Sequence, residues 1–483
     1  MLKRLFGQTS WYLAAHLIGM ALGLVTFPIW TRYFSVEEIG MLGLIDATVL
    51  FVAPFIRLGV RRSVVRFYSE FKTGKRAEGM QTFFSTFIFG SFGLSLIGGT
   101  LFILVIVALG PERTGGDLMY TLWRLAGVLI ILGAVPGIYM TIIRMEEKAR
   151  YHTILGLSGR FFAFFLTLTL IFVFTAGIKS LYIASIAMQV GMVSLMFYMM
   201  WRQKRLAFKA FSLAFLWESI KFSFPLVPAE LANEISGIGD RYVIGYFLTV
   251  KEVGLYSIGY GATGHLKAFL TVMMFAVAPM YLSIWEESGR KKTEEFLSKV
   301  LDYYLLLAVP GILFFMVYGG DFLVLLASSK YEATRPILPY LAIPLVLHGA
   351  ITIYTAGLYI HKKTNMVLVF TACAGVLNIV LNILMVPFMG IVGAALATLI
   401  SYLALILMAN IFSSRYLTIR LFYGRIAKYI LSSALAIAVI QFIELDAIYA
   451  VVIKVACGCL IYGVTMLIID LEIRQKLRQL LKI

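Results

Sequence analysis

Charge is what this sequence has least of. Asp, Glu, Lys and Arg make up 14% of 483 residues, and the mean hydropathy is +0.91. A soluble domain carries about 25% charged residues, so that class is excluded. Cysteine is nearly absent: Cys373, Cys457 and Cys459 all fall in apolar runs, which excludes a disulfide framework and a cysteine metal site and predicts free thiols. Acidic residues are outnumbered 25 to 42, giving a formal net charge of +17. Yet no basic cluster is interleaved with exposed aromatics, so nucleic acid is not the expected partner. Also missing are paired carboxylates at a membrane face, a nucleophile with its base, and a phosphate-cradling glycine loop. The longest loop on the outer side, Gly320 to Arg335, is too short for the catalytic loops of a lipid-linked sugar polymerase or ligase. No enzyme activity, cofactor or metal is expected.

What is present is apolar length. Apolar residues make up 61% of the chain, in continuous runs of the ~20 residues that a spanning helix needs, without the alternation of a barrel strand. The fold class is therefore an all-α polytopic membrane protein. Fourteen transmembrane helices are predicted, at 9–30, 38–60, 81–109, 118–143, 153–176, 180–201, 219–248, 254–284, 300–319, 336–360, 366–387, 390–412, 426–443 and 447–470. Lys3-Arg4 precede an apolar run too long for a signal peptide and without a small-x-small cleavage site, so a retained first helix is expected.

The basic residues test this order. Of the 42, the side that holds the N-terminus collects 29, the opposite side six, and the spans seven. One missed or invented helix would invert every later loop, so the alternation supports the count and places both termini in the cytoplasm.

A short motif recurs. Tyr33-Phe34 with Val36-Glu37-Glu38-Ile39-Gly40 returns as Tyr246-Phe247 with Val250-Lys251-Glu252-Val253-Gly254. Both copies sit at an outer turn between an odd span and the next even one. This predicts two pseudo-symmetric six-helix bundles around a central cavity, residues 1–201 and 219–412, with two C-terminal helices and a basic tail in 413–483. The segment 202–218, with basic residues among Phe208, Phe211 and Phe215, is expected to join them as an interfacial amphipathic helix.

The stretch from Pro225 to Gly261 is where charge enters the spans. Glu230, Glu234, Gly237 and Arg241 share one helix face at 100° per residue, and Tyr256, Tyr260, Thr263 and Lys267 share another. Charges in such apolar segments are costly and mark functional candidates. Two adjacent polar stripes point to one wet chamber.

Asp240-Arg241-Tyr242-Val243-Ile244-Gly245 followed by Gly254-Leu255-Tyr256 is similar to the seventh-helix signature of bacterial polysaccharide repeat-unit flippases. These belong to the multidrug/oligosaccharidyl-lipid/polysaccharide exporter superfamily. Leu381-Asn382, Val386-Pro387, Gly390, Gly393-Ala394-Ala395 and Ala397-Thr398 resemble that family's eleventh and twelfth helices. The resemblance covers the whole chain. It implies alternating-access export of undecaprenyl-diphosphate-linked oligosaccharide across the bacterial inner membrane for lipopolysaccharide or exopolysaccharide synthesis, with the polysaccharide polymerase and chain-length machinery as further partners. A peptidoglycan lipid-precursor flippase and an ion-coupled multidrug exporter are the alternatives.

Such a substrate needs cations for phosphate and hydroxyl or aromatic groups for sugar. Substrate-binding candidates are Arg160, Lys267, Arg241, Asp46, Tyr256 and Tyr260, and coupling-ion candidates are Glu230, Glu234 and Asp240. Structural readings stand beside these: Arg160 could pair with an acid, Arg241 could neutralise Asp240, and the two glutamates could pair with Arg160 or Lys267. Arg57, one turn from the inner end of its span, is expected to snorkel to the surface. Gly19 and Gly23 match close helix packing, and Asn378 and Asn382 at i and i+4 are expected to bond a neighbouring helix.

Overall fold

The computed structural model describes the backbone of residues 2–274, 277–443, 450–472, 474 and 475. Side chains are described from residue 10 on, except in 229–236, 268–269, 271–274 and 278–279. Among these residues there are helices and no strand. Eleven of the helices are long and apolar enough to cross a membrane, against the fourteen expected. Part of the difference is one break: Thr364–Ser413 runs through the predicted spans 366–387 and 390–412 and departs from helical geometry at Gly390, whose φ of 60° suits a residue without Cβ. The predicted spans 219–248 and 254–284 correspond to Val227–Phe247 and Val250–Met274, both of which enter segments with undescribed side chains.

The chain divides into two units, residues 1–26 with 41–235, and residues 27–40 with 236–483. The dividing line falls at Ser236, within the helix Val227–Phe247.

In the first unit the basic segment after the second span is itself a helix, Val60–Lys72. It buries Val60, Ser63, Val64, Phe67, Tyr68 and Phe71 at helical spacing and turns Arg61, Arg62 and Arg66 outward. Its buried face meets an aromatic cluster: the rings of Phe71 and Phe215 lie 4.8 Å apart, those of Phe83 and Phe87 4.8 Å, and those of Phe87 and Phe215 5.3 Å. Each such pair contributes about 0.5–1.5 kcal/mol beyond area burial.

The linker differs from its expected form. Between Arg202 and Leu213 it is a turn and one 3-10 turn, Phe208–Ala210, and a helix begins only at Leu213. Side chains of the helix Met80–Thr114 capture the backbone that a continuous helix would use, as Ser85 accepts from Ala207 N–H and Thr86 from Ser212 N–H. The helix Leu213–Ser223 is then capped by Ser212. Arg76 fastens it, with two bonds to Glu218 at 2.8 and 2.6 Å, one to Glu70 at 3.1 Å, and its guanidinium 4.8 Å over Phe67. Those bonds to Glu218 hold the Arg76 pKa above its ordinary value and the Glu218 carboxyl below its own.

In the second unit both copies of the recurring motif start a helix the same way. Ser35 and Glu38 form a reciprocal capping box, with bonds of 2.8 and 3.1 Å, and Thr249 accepts from Glu252 N–H at 3.2 Å. Nearby, Arg32 donates to the Leu325 carbonyl and Lys330 to the Arg32 carbonyl. Of the last two helices, Ala450–Ile469 is tied to Val277–Leu326 by the Tyr462 hydroxyl, which donates to the Leu306 carbonyl at 2.8 Å, and Tyr423–Gln441 by buried Asp302. It takes Arg425 at 2.5 Å and the Tyr429 hydroxyl at 2.7 Å, while Arg425 also reaches Glu472.

Candidate functional site

Asp240 is fully buried in the second unit, in the helix Val227–Phe247. A carboxylate there is sustained only if donors surround it. Asn382 Nδ2 donates to Oδ1 at 2.7 Å, Thr398 Oγ1 to Oδ2 at 2.9 Å, and the Tyr256 hydroxyl to Oδ2. Asn378 Nδ2 reaches Thr398 at 3.3 Å, and Asn382 Nδ2 also reaches the Asn378 carbonyl at 2.9 Å. The four partner side chains are buried as well.

The helices explain the convergence. Asn378 and Asn382, one turn apart, face across to Thr398, which lies beyond the break at Gly390 in the same long helix. Tyr256 comes from the helix Val250–Met274. All of the groups bonded to Asp240 are neutral. Its sequence neighbour Arg241 points elsewhere, donating to Ser257 Oγ at 3.0 Å and the Gly237 carbonyl at 3.3 Å, with its guanidinium 5.5 Å from the Tyr260 ring. Two acceptors in this cluster, Asn378 Oδ1 and Asn382 Oδ1, are buried without a partner.

One carboxylate with amide, hydroxyl and phenol oxygens is a hard, all-oxygen donor set of a single negative charge. That suits a monovalent cation, or a proton on Asp240, better than a transition metal. Among the described residues no three His, Cys, Asp or Glu side chains gather as a metal site.

The other expected site residues are spread more widely. Tyr256 belongs to the Asp240 cluster, and Tyr260 stacks on it with ring centroids 6.4 Å apart. Lys267 lies within electrostatic reach of His348 in the same unit. Arg160 and Asp46 are in the first unit. The guanidinium of Arg160 lies over Gly19, where a Cβ would stand 2.5 Å from Nη1, so this glycine accommodates a charged side chain. Asp46 neighbours the Tyr182 hydroxyl. Glu230 and Glu234 lie outside the described side chains.

One expectation is corrected. Arg57 does not snorkel outward, because its Nη2 donates to the Ile130 carbonyl at 3.2 Å, a group released where the helix Asp117–Leu132 ends at Gly133. Asn378, Asn382 and Thr398 were visible in the sequence as packing or motif residues, and their convergence on Asp240 was not. The signal was a pair of amides one turn apart in an otherwise apolar span.

Eleven helices long and apolar enough to cross a membrane, among the described residues, define a multi-pass membrane protein. Its solved relatives in shape include the "Lipid II flippase MurJ, inward closed conformation", with TM-score 0.73 and 18% identity over 94% of this chain and 97% of that one. A multidrug resistance MATE family transporter of the MOP superfamily, in its inward-facing conformation, gives TM-score 0.64 and 16% identity over 87% and 95%. The family described as polysaccharide biosynthesis protein matches residues 5–285, and the chain belongs to it. Two Haloferax volcanii proteins are similar in sequence. The "Probable low-salt glycan biosynthesis flippase Agl15" is 22% identical over 46% of this chain and 48% of its own length, and the "Probable flippase AglR" 23% over 50% and 52%. The chain thus spans about half the length of the curated relatives it matches.

Proposed function

We propose that this protein is a flippase that carries undecaprenyl-diphosphate-linked oligosaccharide units from the cytoplasmic to the outer leaflet by alternating access, with a monovalent cation or proton on the Asp240 cluster driving the cycle. The family is one of polysaccharide biosynthesis, and the similar Haloferax proteins are named as flippases. The observation that carries the coupling is the buried Asp240 carboxylate, bonded by neutral groups beside two partnerless amide oxygens. A charge held this way in an apolar span changes its energy sharply when an ion enters or leaves, which makes it a means of shifting a conformational equilibrium. The excess of basic residues on the N-terminal side orients that side to the cytoplasm, with both termini there.

The test is twofold. In proteoliposomes, flipping of a fluorescent lipid-linked oligosaccharide should respond to an imposed sodium or proton gradient, and Asp240→Asn should abolish that response. Deletion in the host should leave lipid-linked repeat units in the cytoplasmic leaflet of viable cells; lethality with a cell-wall defect would transfer the assignment to a peptidoglycan precursor.

A further inference from the structure

The strap from Trp201 to Lys221, within the first unit, presents an outer face that the Asp240 cluster does not use. Large apolar side chains stand out along it: Trp201 is 60% exposed, Phe208 71%, Leu213 70% and Trp217 57%. Basic residues are interleaved with them. Arg202, Lys204, Lys209 and Lys221 are all exposed, and the Lys221 ammonium lies 5.7 Å from the centre of the Trp217 ring. The other charged residues of the strap turn to partners in the same unit, Arg205 to Glu146 and Glu218 to Arg76.

The course of the strap is fixed from beneath. Ser85 and Thr86 hold its backbone at Ala207 and Ser212, and Phe208 stacks on Phe89 with ring centres 4.5 Å apart. The helix Leu213–Ser223 buries Phe215, Leu216, Ser219 and Ile220, and so sets Leu213, Trp217 and Lys221, each four residues from the next, in one outward row.

Backbone outside a helix cannot face hydrocarbon, where its N–H and carbonyl groups would find no partner. Residues 203–212 carry such backbone, so the strap lies at the level of the headgroups rather than among the lipid tails. Exposed indoles and lysines suit that depth, because the rings sit at the boundary while the cationic ends reach water and phosphate. The four cations decide the kind of headgroup. A zwitterionic layer offers them as much positive charge as negative, whereas an acidic one offers net opposite charge, a factor of about five in affinity for each Lys or Arg near the surface. A second copy of the chain would bring the same cations to the contact and, at a formal net charge of +17, would be repelled.

We infer that the strap Trp201–Lys221 is a docking surface for the headgroups of acidic phospholipids. Trp201, Phe208 and Trp217 seat it at the interface, and Arg202, Lys204, Lys209 and Lys221 bind the phosphates of several lipids at once. This does not rest on the flippase reading, because it concerns the lipid around the protein and not its cargo.

The experiment uses the full-length protein in phosphatidylcholine nanodiscs holding one copy each, with phosphatidylglycerol introduced in steps and thermal stability as the readout. The melting temperature of wild type should rise with the acidic fraction. That rise should shrink as salt is raised from about 50 to about 500 mM, where screening shortens the reach of surface charge to a few ångströms. The quadruple variant Arg202→Gln, Lys204→Gln, Lys209→Gln and Lys221→Gln should lose most of the rise. A control with Lys291→Gln, Lys292→Gln, Lys362→Gln and Lys363→Gln removes the same charge from exposed positions of the second unit and should keep it. Lys209→Gln alone should need about five times the acidic fraction for half the rise, and it decides if the quadruple variant does not fold. No response to phosphatidylglycerol, an undiminished response in the strap variants, or an equal loss in the control overturns the inference. Absence of the response together with pairing of wild type, but not of the strap variant, in larger phosphatidylcholine discs would give the surface to a second copy.

Discussion

Gly40 and Gly254 each fit against the opposite copy of the motif that contains them. A Cβ on Gly40 would stand 1.9 Å from the Val250 carbonyl oxygen, and one on Gly254 would stand 2.0 Å from that of Val36. Both contacts lie in the second unit, and in each the partner is the valine four residues before the other glycine. Backbone meets backbone, so no side-chain rotation could relieve an added methyl. Replacing either residue by alanine should lower the melting temperature, at a cost of about 1–3 kcal/mol for forced overpacking. Alanine at the exposed Gly74, chosen as a control with open space around it, strains the backbone at φ 69° without any clash. Equal melting of wild type and the Gly40 and Gly254 variants would show that the two turns do not need this contact.

Around Asp240, the amide of Asn382 is the partner whose removal is most informative. Asn382→Ala withdraws the donor to Oδ1 and the bond to the Asn378 carbonyl together. An unsatisfied buried group costs about 1–3 kcal/mol, more when charged. Asn382→Ala should therefore melt earlier than wild type and also bind or respond to the coupling ion more weakly. Asp240→Asn removes the charge with little change of shape, so it should keep its fold while losing ion dependence. Full ion response in Asp240→Asn would refute the assignment of the cluster to coupling.

Arg160 and Lys267 remain the proposed phosphate contacts along the substrate's path. Arg160→Ala and Lys267→Ala should each cut export at least tenfold in a cell-based complementation assay, with the protein still present in membranes at normal level. Normal export in both would remove them from the substrate path.

Arg76 and Glu218 offer a prediction in pH. The bond to Arg76 holds the Glu218 carboxyl below its ordinary pKa of 4.5. Its contribution to stability is accordingly complete above that value and fades as pH falls through the lower folded pKa. Glu218 is about half exposed, so solvent screening keeps the effect small, within about 1 kcal/mol. Arg76→Ala should cost more than Glu218→Ala, because it also removes the cation from the faces of Phe67 and Phe215. A larger loss in Glu218→Ala would place the stabilisation in the charge pair rather than in the stacking.

By itself the sequence determined the solvent, the class of element and the family. Runs of apolar residues as long as Thr364–Ser413 can satisfy their backbone in lipid only as helices, and the signature around Asp240-Arg241 was legible as a string. The free cysteines and the interhelical bond of Asn382 follow from the same local logic. Tertiary structure alone decided which polar groups meet. Asp240 and Thr398 are 158 residues apart, and helix periodicity fixes only the direction in which each side chain leaves its own axis, not the helix that receives it. For the same reason adjacent Asp240 and Arg241 hydrogen-bond to different partners. Arg57 reads as a snorkelling residue until the carbonyl of Ile130, freed by a helix end 73 residues away, gives it a reason to stay inside.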